Sequence, residues 1–514
     1  MYIGDYLARR ELYSPDRLAI IDTGKAREWR LTYRQLNERA NRLANWLRDV
    51  AGVAKGDRVA ILAHDGMEHL DAFFACGKLG AIHTALNWRL HPQELAGIVA
   101  QTTPRALIFS DDVRASVIGL QDLLHGRPYA IAHYLHTEGD GAGGSVHLET
   151  TLRNASAAAV TTDNLEAEDI AALIFTGGTT GLPKAAQVSH RMIAWNTLNT
   201  VIHDVTHDDI YLNVFPMFHT GGLFVYTLPQ VIFGGTTILM RQFDPARVLE
   251  LIERERVTIF GAVPTMYQMI TQAPNWAAAD LSSLRFCTSG GAPLPVPLVE
   301  QYTREKGIRF KQGFGMTEFG PGIFALAPED AIRRAGSIGR PNFYVDARIV
   351  DDNNRFLGPN EEGELVLKGP SYCSGYFGDP VASAAAVDER GYFHTGDIAR
   401  FDPEGYFYIV DRKKDMFISG GENVYPAEIE KVLYQHPDVL MCAVIGLPDP
   451  KWGEVGRACV VLKANATAGE VELLGFMAER LAKFKVPKSV TILDALPISS
   501  AGKILKRELR ERYL

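Results

Sequence analysis

The sequence predicts an α/β protein of at least two domains, the larger built on a mostly parallel sheet. Three observations carry this. Short apolar runs alternate with helical patterns early in the chain, as strands joined by helical crossovers do. The 514 residues are too many for one ordinary core. A run of charges, Asp411-Arg412-Lys413-Lys414-Asp415, separates a strand-like segment, Gly405–Val410, from a C-terminal region with a pattern of its own.

The elements follow in order. Thr32 with Gln35 three residues on reads as a capped helix start, and Leu36, Ala40, Leu43 and Leu47 continue it with one apolar face. Arg58–Leu62 reads as a short buried strand and Glu68–Leu79 as a helix. Thr137–Asp169, rich in Gly, Ala, Thr and acidic residues, reads as surface loop. Ala171–Phe175 and Ala185–Val188 read as strands, with Ser189 capping a helix. From Ile210 to Met240 only His219 can carry a charge, a length that could span a bilayer. Pro216, Pro229, Gly221, Gly222, Gly234 and Gly235 break that stretch, and Asn213 and Gln230 interrupt it, so a buried element of a large core is expected. Pro426 opens a helix in the last region, with Ile429, Val432 and Leu433 facing inward.

Composition excludes several classes. A net charge of −8 gives no basic footprint for nucleic acid. Five scattered cysteines, never in a C-x-x-C pair, argue against disulfides and zinc and fit a reducing cytoplasm. The first residues, charged from Asp5 onward, lack the apolar core of a secretory leader.

The most informative stretch is Thr176-Gly177-Gly178-Thr179-Thr180-Gly181-Leu182-Pro183-Lys184. Its glycines let backbone N–H groups approach an anion, its threonines add hydroxyl donors, and Lys184 adds a point charge for a polyphosphate. It is not a G-x-x-x-x-G-K-[ST] loop, because Ala185 follows the lysine and strands flank it.

This loop resembles the signature of the acyl-adenylate-forming enzymes: acyl-CoA synthetases, aryl-CoA ligases, adenylation domains and luciferases. The likeness runs from about Leu31 to Lys503 and is nearest to bacterial fatty-acyl-CoA synthetases. It implies a large multi-sheet α/β domain over residues 1–411, which would hold ATP and the acid. A small mobile α+β domain would follow over 412–514, hinged at Lys414.

The resemblance extends residue by residue. Gln312-Gly313-Phe314-Gly315-Met316-Thr317-Glu318 is similar to the adenine and metal segment: Gly313 and Phe314 for the base, Thr317 for the α-phosphate, Glu318 for Mg²⁺. Gly291 and Ala292 lie in a loop like the one covering the adenine's other face. Asp397 and Arg412 match the ribose contacts, and Lys503, in Pro497-x-x-x-x-Gly502-Lys503, matches the adenylation lysine. A lysine suits that task because two anions must approach each other. The same spacing resembles that of synthetases switched off by lysine acetylation, so an acetyltransferase and deacetylase acting at Lys503 are expected partners.

His219 matches the aromatic position beside the substrate carboxylate, as a gate and orienting group. Thr220 stands where amino-acid-activating members carry an aspartate, so an amino-acid substrate is not expected. Acetate-type members close the acyl pocket with a tryptophan where this chain has Gly315. With Gly221, Gly222, Gly320, Gly322 and Val263, this implies an acid larger than propionate, either a medium- to long-chain fatty acid or an aryl or alicyclic one. Gly420, Gly421, Trp452, Lys485 and Lys488 match a coenzyme A path. The expected activity is ATP- and Mg²⁺-dependent acyl-CoA synthesis through an acyl-adenylate, with assembly left at monomer or homodimer. The alternatives are loading of a carrier protein and a nucleotide-binding regulator without catalysis.

Overall fold

The computed structural model describes residues 4–24, 28–176, 183–292, 294–412, 415–419, 422–481, 483–499 and 503–514, with Glu422 and Asn423 described by backbone alone. Thr32 caps the helix Tyr33–Asp49 by accepting from the Gln35 amide, while the Gln35 side chain accepts from Thr32 N–H. Leu36, Ala40, Leu43 and Leu47 of that helix are fully buried. Arg58–Leu62 is a strand and Met67–Leu79 a helix.

A seven-stranded sheet runs in the spatial order Val146–His147, His133–His136, Ala106–Phe109, Arg58–Leu62, Ile82–Ala85, Ile170–Thr176 and Lys184–Ser189. All its pairings are parallel except the last, a hairpin that pairs Thr176 with Lys184. Ser189 caps the helix His190–Val201 by accepting from Met192 N–H.

A second, nine-stranded sheet has six parallel strands in a row: Leu18–Asp22, Thr236–Leu239, Ile210–Asn213, Ile259–Ala262, Phe286–Ser289 and Phe310–Met316, of which the last four frame the site. The last turns back as the antiparallel strand Gly320–Leu326. Ligands of such sheets gather at the carboxyl ends of the parallel strands. The ends of those last four carry, in order, Phe215–His219, Val263, Gly290–Gly291 and Thr317–Glu318. The Ile210–Met240 stretch resolves into the strands Ile210–Asn213 and Thr236–Leu239, a wide turn of π-helix at Gly221–Val225 and the helix Thr227–Phe233. Among the described residues no helix is long and apolar enough to cross a membrane.

A third sheet is antiparallel and ends with Phe393–Phe401 and Phe407–Arg412. The C-terminal sheet comprises Glu422–Val424, Phe417–Ser419, Gly453–Leu462 and Val439–Asp449, with Ser489–Ile492 on its flank. Its helix Pro426–Leu433 buries Ile429 and Leu433 and begins against the third sheet, where Asp411 accepts from Ala427 N–H at 3.0 Å. The architecture is thus a large multi-sheet α/β domain with a smaller C-terminal one.

The reading of Thr137–Asp169 as loop is corrected. Val146–His147 adds an edge strand, and the helix Leu148–Asn154 buries Leu148 and Leu152. Arg39, itself held by Asp71, binds Glu149 of this helix. So few apolar side chains seat it that its pattern does not stand out from polar loop.

Candidate active site

The phosphate-loop strands are held at their mouth, where Thr176 Oγ1 donates to the Lys184 carbonyl at 3.3 Å. Gly177, Gly178, Thr179, Thr180 and Gly181 lie outside the described residues. Lys184 is exposed, with Nζ 4.9 Å from the centre of the Tyr376 ring.

Thr317 and Glu318 sit in the tip of the hairpin whose strands pair Met316 with Gly320. Glu318 is fixed twice: its carbonyl accepts from Cys373 N–H at 2.7 Å, and its Oε1 accepts from the Tyr376 hydroxyl at 3.1 Å. Among the described residues no group of three or more His, Cys, Asp or Glu side chains could cage a metal ion. One carboxylate with a neighbouring hydroxyl suits Mg²⁺, which takes its other ligands from phosphate and water. The two segments expected at adenine come together: a Cβ on Gly290 would lie 3.3 Å from the Gly313 carbonyl oxygen. Gly291 has φ +81°, a conformation that favours glycine, and Ala292 is exposed. Phe314 packs edge-on against Phe324.

Asp397 and Arg412 are register partners, with Arg412 Nε 2.5 Å from Asp397 Oδ1. Asp397 is buried, and its Oδ2 has no hydrogen-bond partner among the described residues. A carboxylate oxygen buried without a donor is costly; a ribose hydroxyl would satisfy it. Burial pushes this carboxyl up to about 6, against the pull of Arg412 and Lys503.

Beside Lys503, Ile504 forms an antiparallel bridge with Ile498, and the Lys503 amide donates to Ser499 Oγ. A Cβ on Gly291 would lie 3.7 Å from Lys503 Cε and 3.5 Å from Val263 Cγ1. The lysine is therefore at the carboxyl ends of the second sheet, though it comes from the C-terminal region. His219 is held down to about 4 by burial first, then by the charges of Lys503 and Arg89. It is neutral at pH 7, as an orienting ring would be.

The acyl-side glycines differ in their reasons. A Cβ on Gly315 would fall 2.3 Å from the Pro321 carbonyl oxygen, and one on Gly222 would fall 2.3 Å from that of Pro216. Close backbone approach requires glycine at both, so Gly315→Trp would have to part the hairpin and is no measure of pocket size. Gly320 has φ +86° and would press on Asn196 Oδ1 at 2.8 Å, while Gly322 would meet Thr200 Oγ1 at 3.2 Å. Gly221 has ordinary room, its nearest neighbour being the Phe215 side chain at 3.5 Å.

Sequence reasoning missed several residues here. Phe215 lies between Gly221 and Gly261, with Cε2 3.2 Å from a Cβ built on Gly261. The Tyr226 hydroxyl is 2.7 Å from Thr288 Oγ1 on the strand paired to Gly261. Asn196, buried on the helix His190–Val201, donates to the Phe224 carbonyl and accepts from Gly322 N–H, tying the π-helical turn to the hairpin that carries Glu318. None of these belongs to a short motif.

On the C-terminal sheet, Trp452 is 42% exposed and precedes Gly453, which pairs with Ser419. Gly420, Gly421 and Lys414 lie outside the described residues. Lys488 is exposed, but both oxygens of Glu428 hold Lys485 at 2.7 Å, so that lysine would have to leave an ion pair to meet a phosphate. Phe484, also missed, is exposed beside it. Two surface hollows, of about 540 Å³ at Trp46 and His147 and about 450 Å³ at Arg10 and Phe233, contain none of the candidate residues.

A buried carboxylate paired with an arginine, a second carboxylate at a hairpin tip and a lysine from the C-terminal region, all near the strand ends of the large domain, are an arrangement suited to activating an acid with a nucleotide. The chain belongs to the AMP-binding enzyme family, matching that family's model over residues 7–377 and the AMP-binding enzyme C-terminal domain over 428–503. It is 41% identical over 512 residues to a feruloyl-CoA synthase of Amycolatopsis, covering 99% of each chain. It is 38% identical over 518 residues to the long-chain-fatty-acid–CoA ligase FadD13 of Mycobacterium tuberculosis, covering 99% of this chain and 98% of the other. Among solved structures it superposes on ATP-bound MatB of Rhodopseudomonas palustris with a TM-score of 0.90 at 32% identity, covering 100% and 99%. Against apo MatB the TM-score is 0.79. The chain is an AMP-forming acid–thiol ligase: a carboxylic acid other than acetate, ATP and CoA give acyl-CoA, AMP and pyrophosphate, with Mg²⁺.

Proposed function

We propose that this chain activates an aromatic acid of hydroxycinnamate size and that its described form is the one that makes the adenylate. The observation that carries the substrate class is the Phe215 ring set between Gly221 and Gly261, with the Tyr226–Thr288 hydroxyl pair on the adjoining strand. A flat ring stacks on such a wall, and paired hydroxyls can bond a phenol. The likeness to the feruloyl-CoA synthase supports the same class.

The roles we assign are these. Thr176, Gly177–Gly181 and Lys184 hold the phosphates; Gly291, Ala292, Gly313 and Phe314 the base; Asp397 and Arg412 the ribose. Glu318 would hold Mg²⁺, which shields phosphate charge when bound, and Thr317 the α-phosphate. In the first step a carboxylate oxygen bonds to the α-phosphorus as the bond to pyrophosphate breaks. Lys503 bridges the two anions, and neutral His219 orients the acid among Gly221, Val263, Gly315 and Gly320. In the second, the CoA thiolate attacks the acyl carbon and AMP leaves. Domains spanning 1–411 and 412–514 would rotate about Lys414 between steps, bringing Gly420 and Gly421 to the pantetheine, with Trp452 and Lys488 outside. Placement of Lys503 at Gly291 and the better fit to the ATP-bound relative support the first-step form.

Acetylation of Lys503, exposed in this form, would remove the bridging charge. A reducing, cytoplasmic location suits five buried cysteines, none of them bridged. Assembly stays at monomer or homodimer.

The test is CoA-dependent AMP release over acetate through decanoate, benzoate, cinnamate and ferulate. Ferulate and its hydroxylated analogues should exceed acetate in kcat/KM by about 10²-fold or more, the scale of several buried carbons. A preference for decanoate over ferulate would contradict the aromatic assignment.

A further inference from the structure

Two charges that must meet one ATP come from elements far apart in the chain. Lys184 opens a strand of the seven-stranded sheet, whereas Glu318 sits at a hairpin tip of the nine-stranded one. Among the described residues no backbone hydrogen bond joins either of them to the other's sheet. Both, however, touch Tyr376, whose hydroxyl donates to Glu318 Oε1 at 3.1 Å and whose ring centre lies 4.9 Å from Lys184 Nζ.

The tyrosine is itself held by backbone on both sides. Its segment runs antiparallel to the start of the lysine's strand: Phe377 N–H donates to Ala185, Gln187 N–H to Gly375, and Ser374 N–H to Gln187, with a bridge between Ala186 and Tyr376. Three residues before it, Cys373 N–H donates to the Glu318 carbonyl at 2.7 Å. The Tyr376 amide in turn donates to Ser383 Oγ at 2.8 Å. A five-residue segment thus clamps the lysine's strand with its far end and the glutamate's turn with its near end.

We propose that Tyr376 is a positioning residue that sets the metal carboxylate against the phosphate lysine, and so fixes where Mg²⁺ meets the nucleotide. Its hydroxyl leaves Oε2 of Glu318 as the oxygen turned to a cation, since among the described residues only Oε1 accepts a side-chain hydrogen bond. Its ring gives Lys184 an electron-rich face that restrains a flexible ammonium without neutralising it. This inference rests on the assignment of Glu318 as the metal ligand.

The experiment is a Mn²⁺ titration by electron paramagnetic resonance in the presence of α,β-methylene-ATP, on wild type, Tyr376→Phe and Glu318→Gln. Tyr376→Phe keeps the ring and removes the bond to the carboxylate. It should weaken Mn²⁺ binding about tenfold, the scale of one hydrogen bond to a charged acceptor. Its adenylation rate should return at saturating Mg²⁺, a KM effect rather than a kcat one, and its conversion of synthetic acyl-AMP to thioester should be unchanged. Tyr376→Leu should add a loss of about threefold in metal-free nucleotide binding, as a cation–π contact is removed. If Tyr376→Phe binds Mn²⁺ like wild type while Glu318→Gln binds it weakly, Tyr376 has no such role. If Glu318→Gln also leaves Mn²⁺ binding intact, the metal assignment fails and the inference with it.

Discussion

Lys503→Ala is expected to abolish adenylation while sparing thioester formation. Substrate-dependent pyrophosphate exchange should fall by about 10²- to 10³-fold, the cost of removing one preorganised charge from a transition state. Conversion of synthetic feruloyl-AMP and CoA to the thioester should proceed near the wild-type rate. The physical reason is position: the Lys503 side chain reaches Gly291, beside Val263, and its charge acts on both His219 and Asp397, where acid and α-phosphate would meet. Nothing in the thiolate attack requires a cation there. Exchange that survives at the wild-type rate would remove Lys503 from the first step, and equal loss in both steps would point to a damaged fold.

Asp397→Asn should raise the KM for Mg·ATP by about tenfold, because a charged acceptor for the ribose becomes a neutral one. It should also flatten a pH dependence. In the free enzyme, burial raises this carboxyl to about 6. The ionised form is the one that accepts two hydroxyl donors, so the wild-type KM for Mg·ATP should rise as pH falls through about 6. Stability runs the other way. A folded pKa above the unfolded one means that the folded state binds more protons between about 4 and 6. This group therefore stabilises the nucleotide-free protein below about pH 4, and that contribution is lost as pH rises through about 6. Asp397→Asn should show neither trend, with ATP KM and thermal midpoint each followed from pH 5 to 8. A wild-type KM that stays flat across pH 6 would contradict the assignment.

The candidate site was more legible in the sequence than its surroundings. Thr176, Lys184, Glu318, Asp397, Arg412 and Lys503 stand in contiguous motifs because the roles proposed for them, toward phosphate, metal and ribose, would each demand a residue type at a fixed backbone position. Elements with a strong local signal were equally plain: the Thr32–Gln35 box begins a helix, and Pro426 opens another. What failed was information held in pairs far apart in sequence. Glu428 holds Lys485, Tyr376 holds Glu318 across 58 residues, and Phe215 closes on Gly261. Gly315 illustrates the difference: its missing side chain reads as an open pocket, yet the Pro321 backbone behind it already forbids one. The helix Leu148–Asn154 was lost because Leu148, Thr151 and Leu152 are its only buried side chains.

In this enzyme the acid's own carboxylate attacks ATP at the α-phosphorus before CoA enters. The direct measurement is the fate of oxygen in one complete turnover with ¹⁸O-labelled ferulate carboxylate, ATP, Mg²⁺ and CoA. One ¹⁸O atom should appear in AMP and none in pyrophosphate or inorganic phosphate. Label found in inorganic phosphate, or an AMP free of it, would contradict the acyl-adenylate.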